Sequence, residues 1–251
     1  VYASNINGQS SPVAEEYIRL ADDFRKNQKP DSALIYYEKA SIEFQALGNV
    51  EKFMYTCNRM GIMLTRLDKY ENAKSYLEKA IAAGRSLPDS NNLEIATTHI
   101  SLGVVYNAEE NYVQSLLHHN KALSIRLIKL GEYHAEVATS FGNIGNVYLN
   151  KKEFDKSIDS HTRAMKIREK IFGEASVEII ESYTNLGRGY REKGEYKKAL
   201  EYFEKALKNK IIQRGEGHKD LVRFYKNISD VYYLMEDNER GDFYKARSEE
   251  I

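Results

Sequence analysis

Apolar and polar residues are blocked along this chain at helical spacing. Between 135 and 172, Val137, Phe141, Ile144, Val147 and Tyr148 recur at the three- and four-residue steps that place them on one helical face. The polar run Asn150-Lys151-Lys152-Glu153 breaks the pattern and predicts a turn. Phe154, Ile158, His161, Met165 and the stretch from Ile167 to Ile171 then restart it. The pattern predicts two helices joined by a short turn, and a helix pair of this size cannot bury its apolar face alone.

The same block recurs with a period of 42. Gly61, Gly103, Gly145 and Gly187 keep that spacing, and the next step lands on Ser229. Aromatics three residues later recur as Tyr106, Tyr148, Tyr190 and Tyr232, with Leu64 in the earlier register. Further columns are Tyr70, Tyr112, Phe154 and Tyr196; Ala73, Ser115, Ser157 and Ala199; Ala80, Ala122, Ala164 and Ala206; and Gly131, Gly173 and Gly215. The first unit fits with an offset of 40, and the last is a shortened copy. Terminal units of a stacked array are atypical in this way. The small columns predict close helix contact: a side chain at Gly145 would push the second helix away, and Ser157 and Ala164 face it.

These columns predict an all-α fold of about six helix-turn-helix repeats, hence about twelve helices. The repeats fall at about 13–48, 50–86, 92–131, 134–173, 176–215 and 218–250. A flexible N-terminal segment over 1–11 is expected to precede a single solenoid over 12–251.

Asn-Ile-Gly-Asn-Val-Tyr at 143–148 and Asn-Leu-Gly-Arg-Gly-Tyr at 185–190 resemble the first helix of a tetratricopeptide repeat. Phe154-Asp-Lys-Ser157-Ile, Tyr196-Lys-Lys-Ala199-Leu and Tyr202-Phe203-Glu-Lys-Ala206-Leu207 resemble its second. The common repeat has about 34 residues, whereas both helices are longer here, as in bacterial arrays of the 42-residue type. The connector Leu130-Gly131-Glu-Tyr-His134-Ala-Glu-Val137-Ala138 is similar to that of kinesin-light-chain repeats, with Ala135 in place of a proline. His218 keeps the connector histidine, and Ser176 replaces it. The resemblance implies a right-handed superhelix whose first helices line a concave groove.

In that family the groove is faced by the positions two before and one after the repeat glycine. Here the first column gives Arg59, Asn143, Asn185 and Asn227, and the second gives Asn146 and Arg188; Arg223 and Lys226 lie nearby. An asparagine both donates and accepts, so Asn143, Asn185 and Asn227 could hold an extended peptide backbone without reading its sequence. They could equally bond between neighbouring repeats, and both readings stay open. The cations could meet carboxylates, the arginines in bidentate fashion. The expected partner is a protein or an extended peptide, acidic or mixed.

Composition sharpens this. Lys plus Arg and Asp plus Glu are both 37, and this zero net charge disfavours a globally basic nucleic-acid binder. The zero is a sum: residues 185–226 carry 12 basic against 6 acidic side chains, and 236–251 carry 3 against 6. No apolar run is long enough to span a membrane, so no insertion is expected. A cytoplasmic location is slightly favoured, with export after leader cleavage as the alternative, since the chain starts at Val1 rather than Met.

Catalytic and metal motifs are missing. No His-Glu-x-x-His or Cys-x-x-Cys occurs, no phosphate-binding glycine loop occurs, and no cofactor or metal is expected. His118 and His119 point about 100 degrees apart on a helix and cannot easily share an ion. His134 and His218 recur in connectors, which favours capping or packing, and Cys57 is expected to be a small packed hydrophobe. Two readings follow: a non-catalytic interaction scaffold, or the regulatory arm of a larger protein such as a CHAT-type protease or signalling kinase. The last segment, 239–251, is a short capping helix with Phe243, Tyr244 and Ile251 on partly apolar faces, so self-association there is a further expectation.

Overall fold

The computed structural model describes residues 11–89 and 92–251. Twelve α-helices follow one another among the described residues: α1 (Pro12–Lys26), α2 (Pro30–Ala46), α3 (Val50–Arg66), α4 (Tyr70–Gly84), α5 (Leu93–Ala108), α6 (Tyr112–Leu130), α7 (Ala135–Asn150), α8 (Phe154–Phe172), α9 (Ile180–Lys193), α10 (Tyr196–Arg214), α11 (Val222–Leu234) and α12 (Asn238–Glu249). Short 3-10 turns at Val177–Ile179 and Lys219–Leu221 lead into α9 and α11. Of the segment expected to be flexible, residues 1–10 lie outside the described ones; Ser11 is the N-cap of α1, its Oγ accepting from Ala14 N at 3.2 Å. The chain divides between Lys129 and Leu130 into two compact units. Each contains three helical hairpins.

Within a hairpin the two helices touch where the sequence places its small residues. An added Cβ on Gly145 would lie 2.7 Å from the His161 ring, and one on Gly187 would lie 2.6 Å from Phe203. In the first unit the corresponding neighbours are Leu77 against Gly61 and His119 against Gly103. Serines on the second helix clamp the same point: Ser115 Oγ donates to Gly103 O at 2.7 Å, and Ser157 Oγ donates to Gly145 O at 2.9 Å. These bonds satisfy hydroxyls that are otherwise fully buried.

Aromatic triads fill the space beside these contacts. Tyr202 stacks on Tyr190 at 5.6 Å and leans on Tyr183 at 6.1 Å; Tyr244 does the same with Tyr232 and Tyr225. In the first hairpin Tyr36 meets Tyr17 and Phe24. In the third, the triad is His99, His118 and Tyr106.

The turn inside each hairpin uses one left-handed residue, at Gln28, Asp68, Glu110, Lys152, Gly194 and Glu236. The next residue's amide reaches back to the first helix, as Glu153 N does to Tyr148 O at 2.9 Å. This closes the helix end and satisfies a carbonyl that has no partner inside the helix. The connector glycines Gly173 and Gly215 take φ 85 with ψ 161 and φ 84 with ψ 161. That conformation is open essentially to glycine alone. The connector histidines are caps: His134 Nδ1 accepts from Glu136 N at 3.2 Å, and His218 Nδ1 from Asp220 N at 3.1 Å. Asn92, 42 residues before His134, caps α5 through Glu94 N at 2.7 Å. Ser176 in the same column makes no such bond, and its Oγ is buried without a partner.

Candidate functional site

Seven of the eight groove candidates lie in the second unit, on the first helix of each hairpin. Asn143 and Asn146 are on α7, Asn185 and Arg188 on α9, and Arg223, Lys226 and Asn227 on α11. Arg59 lies in the first unit, on α3, its guanidinium 4.9 Å from the Tyr55 ring. The helical step that buries Ile144, Val147, Leu186, Ile228 and Val231 turns the asparagines partly outward. Asn143, Asn146 and Asn227 are partly buried, and Arg188, Arg223 and Lys226 are exposed.

The asparagine side chains do not tie neighbouring hairpins together. None of Asn143, Asn146, Asn185 and Asn227 has a hydrogen-bond partner among the described residues, and Asn146 Oδ1 is buried with none. Asn185 is only 8% exposed. A buried amide without a partner carries a desolvation penalty of about 1–3 kcal/mol. The asparagines that do bridge hairpins stand elsewhere: Asn58 Nδ2 donates to Thr98 Oγ1 at 3.0 Å, and Asn209 Nδ2 to Glu174 O at 2.7 Å. Neither was legible in the sequence, because their columns change residue type from repeat to repeat.

Charge on these helices divides by pairing. Arg191 takes up Glu192 at 2.9 Å and reaches Asp230 at 3.9 Å. Arg168, buried on α8, donates to Ser182 Oγ at 2.6 Å and lies 3.5 Å from Glu181. Burial holds the Arg168 pKa down. Arg188, Arg223 and Lys226 have no carboxylate partner among the described residues. Burial first, then the charges of Arg188 and Arg168, holds the His161 pKa down at about 4. Arg223 and Lys226, with Lys219, Asp220 and Val222, line a shallow concavity at the start of α11. The free cations therefore face solvent, while the acids beside them are neutralised.

The cysteine and histidines are placed for packing among the described residues. Cys57 is fully buried, and desolvation pushes its thiol up to about 12, so it is not a nucleophile near neutrality. His118 and His119 diverge: His119 packs on Gly103, and His118 meets His99, with the two Nδ1 atoms 2.9 Å apart. The ring centroids are 5.1 Å apart, so the two nitrogens point nearly at each other, as in a hydrogen bond between two neutral imidazoles. Burial lowers His99, His118 and His119 to about 4 each. Among the described residues no group of three or more His, Cys, Asp or Glu side chains is placed to hold a metal, and no helix is long and apolar enough to cross a membrane.

The tetratricopeptide repeat family matches residues 54–128 and 136–211, more than half of the chain. No curated protein matches it. Among solved structures it is similar to BtubC (BKLC) from P. vanneervenii, at 17% identity and a TM-score of 0.73, covering 95% of this chain and 91% of that one. It is similar to a kinesin-light-chain candidate from Podosopora anserina with nearly identical TPR-like repeats, at 13% identity and a TM-score of 0.68, covering 78% and 93%. It is also similar to a signal-transduction ATPase with numerous domains and a tetratricopeptide repeat sensor from Pyrococcus horikoshii, at 18% identity and a TM-score of 0.67, covering 94% of this chain and 41% of that one. At these identities the likenesses show a shared all-α fold of stacked hairpins, and tetratricopeptide repeats are in general protein-interaction modules. With its hairpins, its small-residue columns and the family match in agreement, the chain belongs to the tetratricopeptide repeat family.

Proposed function

We propose that the chain is a non-catalytic interaction scaffold whose second unit binds an extended, acidic peptide along α7, α9 and α11. One observation carries this reading: Asn185 is nine-tenths buried and its side chain has no partner among the described residues. Asn143 and Asn227 repeat the unpartnered, partly exposed amide on the same series of helices, and Asn146 adds an unpartnered but buried Oδ1. An extended peptide presents alternating donors and acceptors that such amides pair with in both directions. Arg188, Arg223 and Lys226 add unpaired positive charge, which favours carboxylates on the ligand and speeds their approach. Arg59, on α3, is proposed as a separate peptide contact of the first unit.

Fluorescence polarisation with a labelled Asp- and Glu-rich peptide and a Lys-rich control tests it. The acidic probe is expected to bind about tenfold tighter or more. Replacing Asn143, Asn185 and Asn227 together with Ala is expected to weaken binding with an unchanged helical spectrum. Equal affinity for both probes, or no response to the triple substitution, overturns the reading.

A second reading is a sensor or regulatory arm of a larger protein. The likeness to the repeat sensor of the signal-transduction ATPase supports it, since this chain corresponds to 41% of that protein. Sequencing the gene past the codon for Ile251 tests it: an adjoining effector domain favours the arm, and a stop codon the free-standing scaffold.

A further inference from the structure

The second helices of the first unit carry an outward face that their hairpin partners leave bare. On α6 the buried side is marked by Ser115, His119, Ala122 and Arg126. Half a turn away stand Val113 (72% exposed), Leu117 (46%) and Ile128 (64%), a ridge of large apolar side chains. On α2, Ile35 and Ile42 are more than half exposed. Ile35 shares its repeat column with Leu117, and the residue between them in that column is Ser75 on α4. Ile42 shares its column with Ala82 on α4. Both Ser75 and Ala82 are small and exposed. At Ser75 the middle helix is therefore low between Ile35 and Leu117, and at Ala82 it is low beside Ile42, which makes a furrow at those two levels. Its walls are held: Tyr76 on α4 donates to Glu38 on α2 at 3.0 Å, and Ala80 of α4 shares one core cluster with Ala122 and Ile125 of α6.

Repeat packing does not require apolar residues here. In the second unit the columns of Val113, Leu117 and Ser124 read Asp155, Asp159 and Lys166 on α8, and Lys197, Glu201 and Lys208 on α10. A contiguous exposed apolar face rimmed by polar residues marks an interaction surface.

We propose that this face joins two copies of the chain, the α6 ridge of each lying in the α4 furrow of the other. The same face carries both ridge and furrow, so it is complementary to itself, as a two-fold interface must be. A two-fold axis parallel to the helices leaves height along them unchanged, so members of one repeat column meet. Leu117 then falls over Ser75 of the second copy, large over small, and Ser124 over its Ala82, both small enough to let the helices approach. The charges agree. Lys121 on α6 and Glu78 on α4 are exposed, have no ion-pair partner among the described residues, and lie one residue apart in the repeat register. The axis brings each Lys121 to the Glu78 of the other copy, twice per dimer.

Sedimentation equilibrium of the full chain, up to about 200 μM, tests this. A reversible dimer is expected. Leu117→Glu and, independently, Ile128→Lys should each weaken it about tenfold or more while leaving the helical spectrum and melting curve unchanged. Glu78→Lys alone should weaken it, and Glu78→Lys with Lys121→Glu in one chain should restore it. A chain that stays monomeric throughout overturns the proposal. So does a dimer that Leu117→Glu and Ile128→Lys leave intact, including one that Phe243→Glu dissolves instead.

Discussion

Ser229 Oγ on α11 donates to Gly241 O on α12 at 2.8 Å, and this bond runs in the opposite sense to those of the preceding hairpins. In those, the glycine is on the first helix and the serine on the second, as with Gly145 and Ser157. In the last, the two have exchanged helices, and a Cβ on Gly241 would lie 2.6 Å from the Tyr233 ring. The break in the glycine column at Ser229 is thus compensated twelve residues later, where the earlier repeats carry Ala199 or Ser157. Close approach needs one residue without a side chain at the crossing, on either helix.

Gly145→Ala, Gly187→Ala and Gly241→Ala are each expected to destabilise the fold by about 1–3 kcal/mol, because the neighbouring ring must shift out of a packed site. Ala at Gly142, which has nothing within 4 Å of its added Cβ, should cost none of this. Urea unfolding midpoints of the four variants check the contrast.

The left-handed turn residues offer stabilisation. Glu110, Lys152 and Glu236 hold φ of 58, 62 and 62 without being glycine, while the equivalent Gly194 holds φ 83. Left-handed backbone costs a residue with a Cβ about 1–2 kcal/mol. Lys152→Gly and Glu110→Gly should therefore raise stability by about 0.5–1 kcal/mol after the added chain entropy of glycine is subtracted. Gly194→Ala should lower it by a similar amount. Thermal melts read both signs.

One connector lacks its cap. Asn92, His134 and His218 each accept a backbone N–H, and Ser176 does not. His134→Ala and His218→Ala should each cost about 1 kcal/mol, and Ser176→Asn should gain about 0.5–1 kcal/mol by providing the missing acceptor. Denaturant midpoints at pH 7.5 measure all three.

Acid should unfold this protein through its buried imidazoles. Burial first of all lowers His99, His118, His119 and His161 to about 4 from an ordinary 6.5. Between those values the unfolded chain binds protons that the folded chain refuses. The associated stability is therefore complete above pH 6.5 and declines as pH falls through the window to about 4. His161→Phe, which copies Phe203 of the next repeat, should flatten part of that decline. A denaturation series from pH 8 to pH 4 compares the slopes; equal slopes would count against the buried, neutral imidazole.

The sequence by itself determined the hairpins, their number and their close-contact points. Helical spacing of apolar residues, repeated every 42 positions with small residues in register, permits few other ways to bury those faces. It also read the connector histidines as capping or packing residues and Cys57 as a core residue, since recurrence in a connector and a lone apolar-face thiol both point to structure; the structure made the histidines caps. Tertiary structure decided which polar atoms find partners. Asn58 and Asn209 are consumed by neighbouring hairpins while Asn185 is left open, although all three are asparagines on helices. His118 and His119 are adjacent in sequence, yet one meets a second imidazole and the other a glycine. The bare face of α2, α4 and α6 became visible only when exposure separated it from the buried columns. Periodicity fixes the face on which a residue lies; hydrogen bonds and ion pairs depend on ångström-scale distances between helices, which the backbone packing sets.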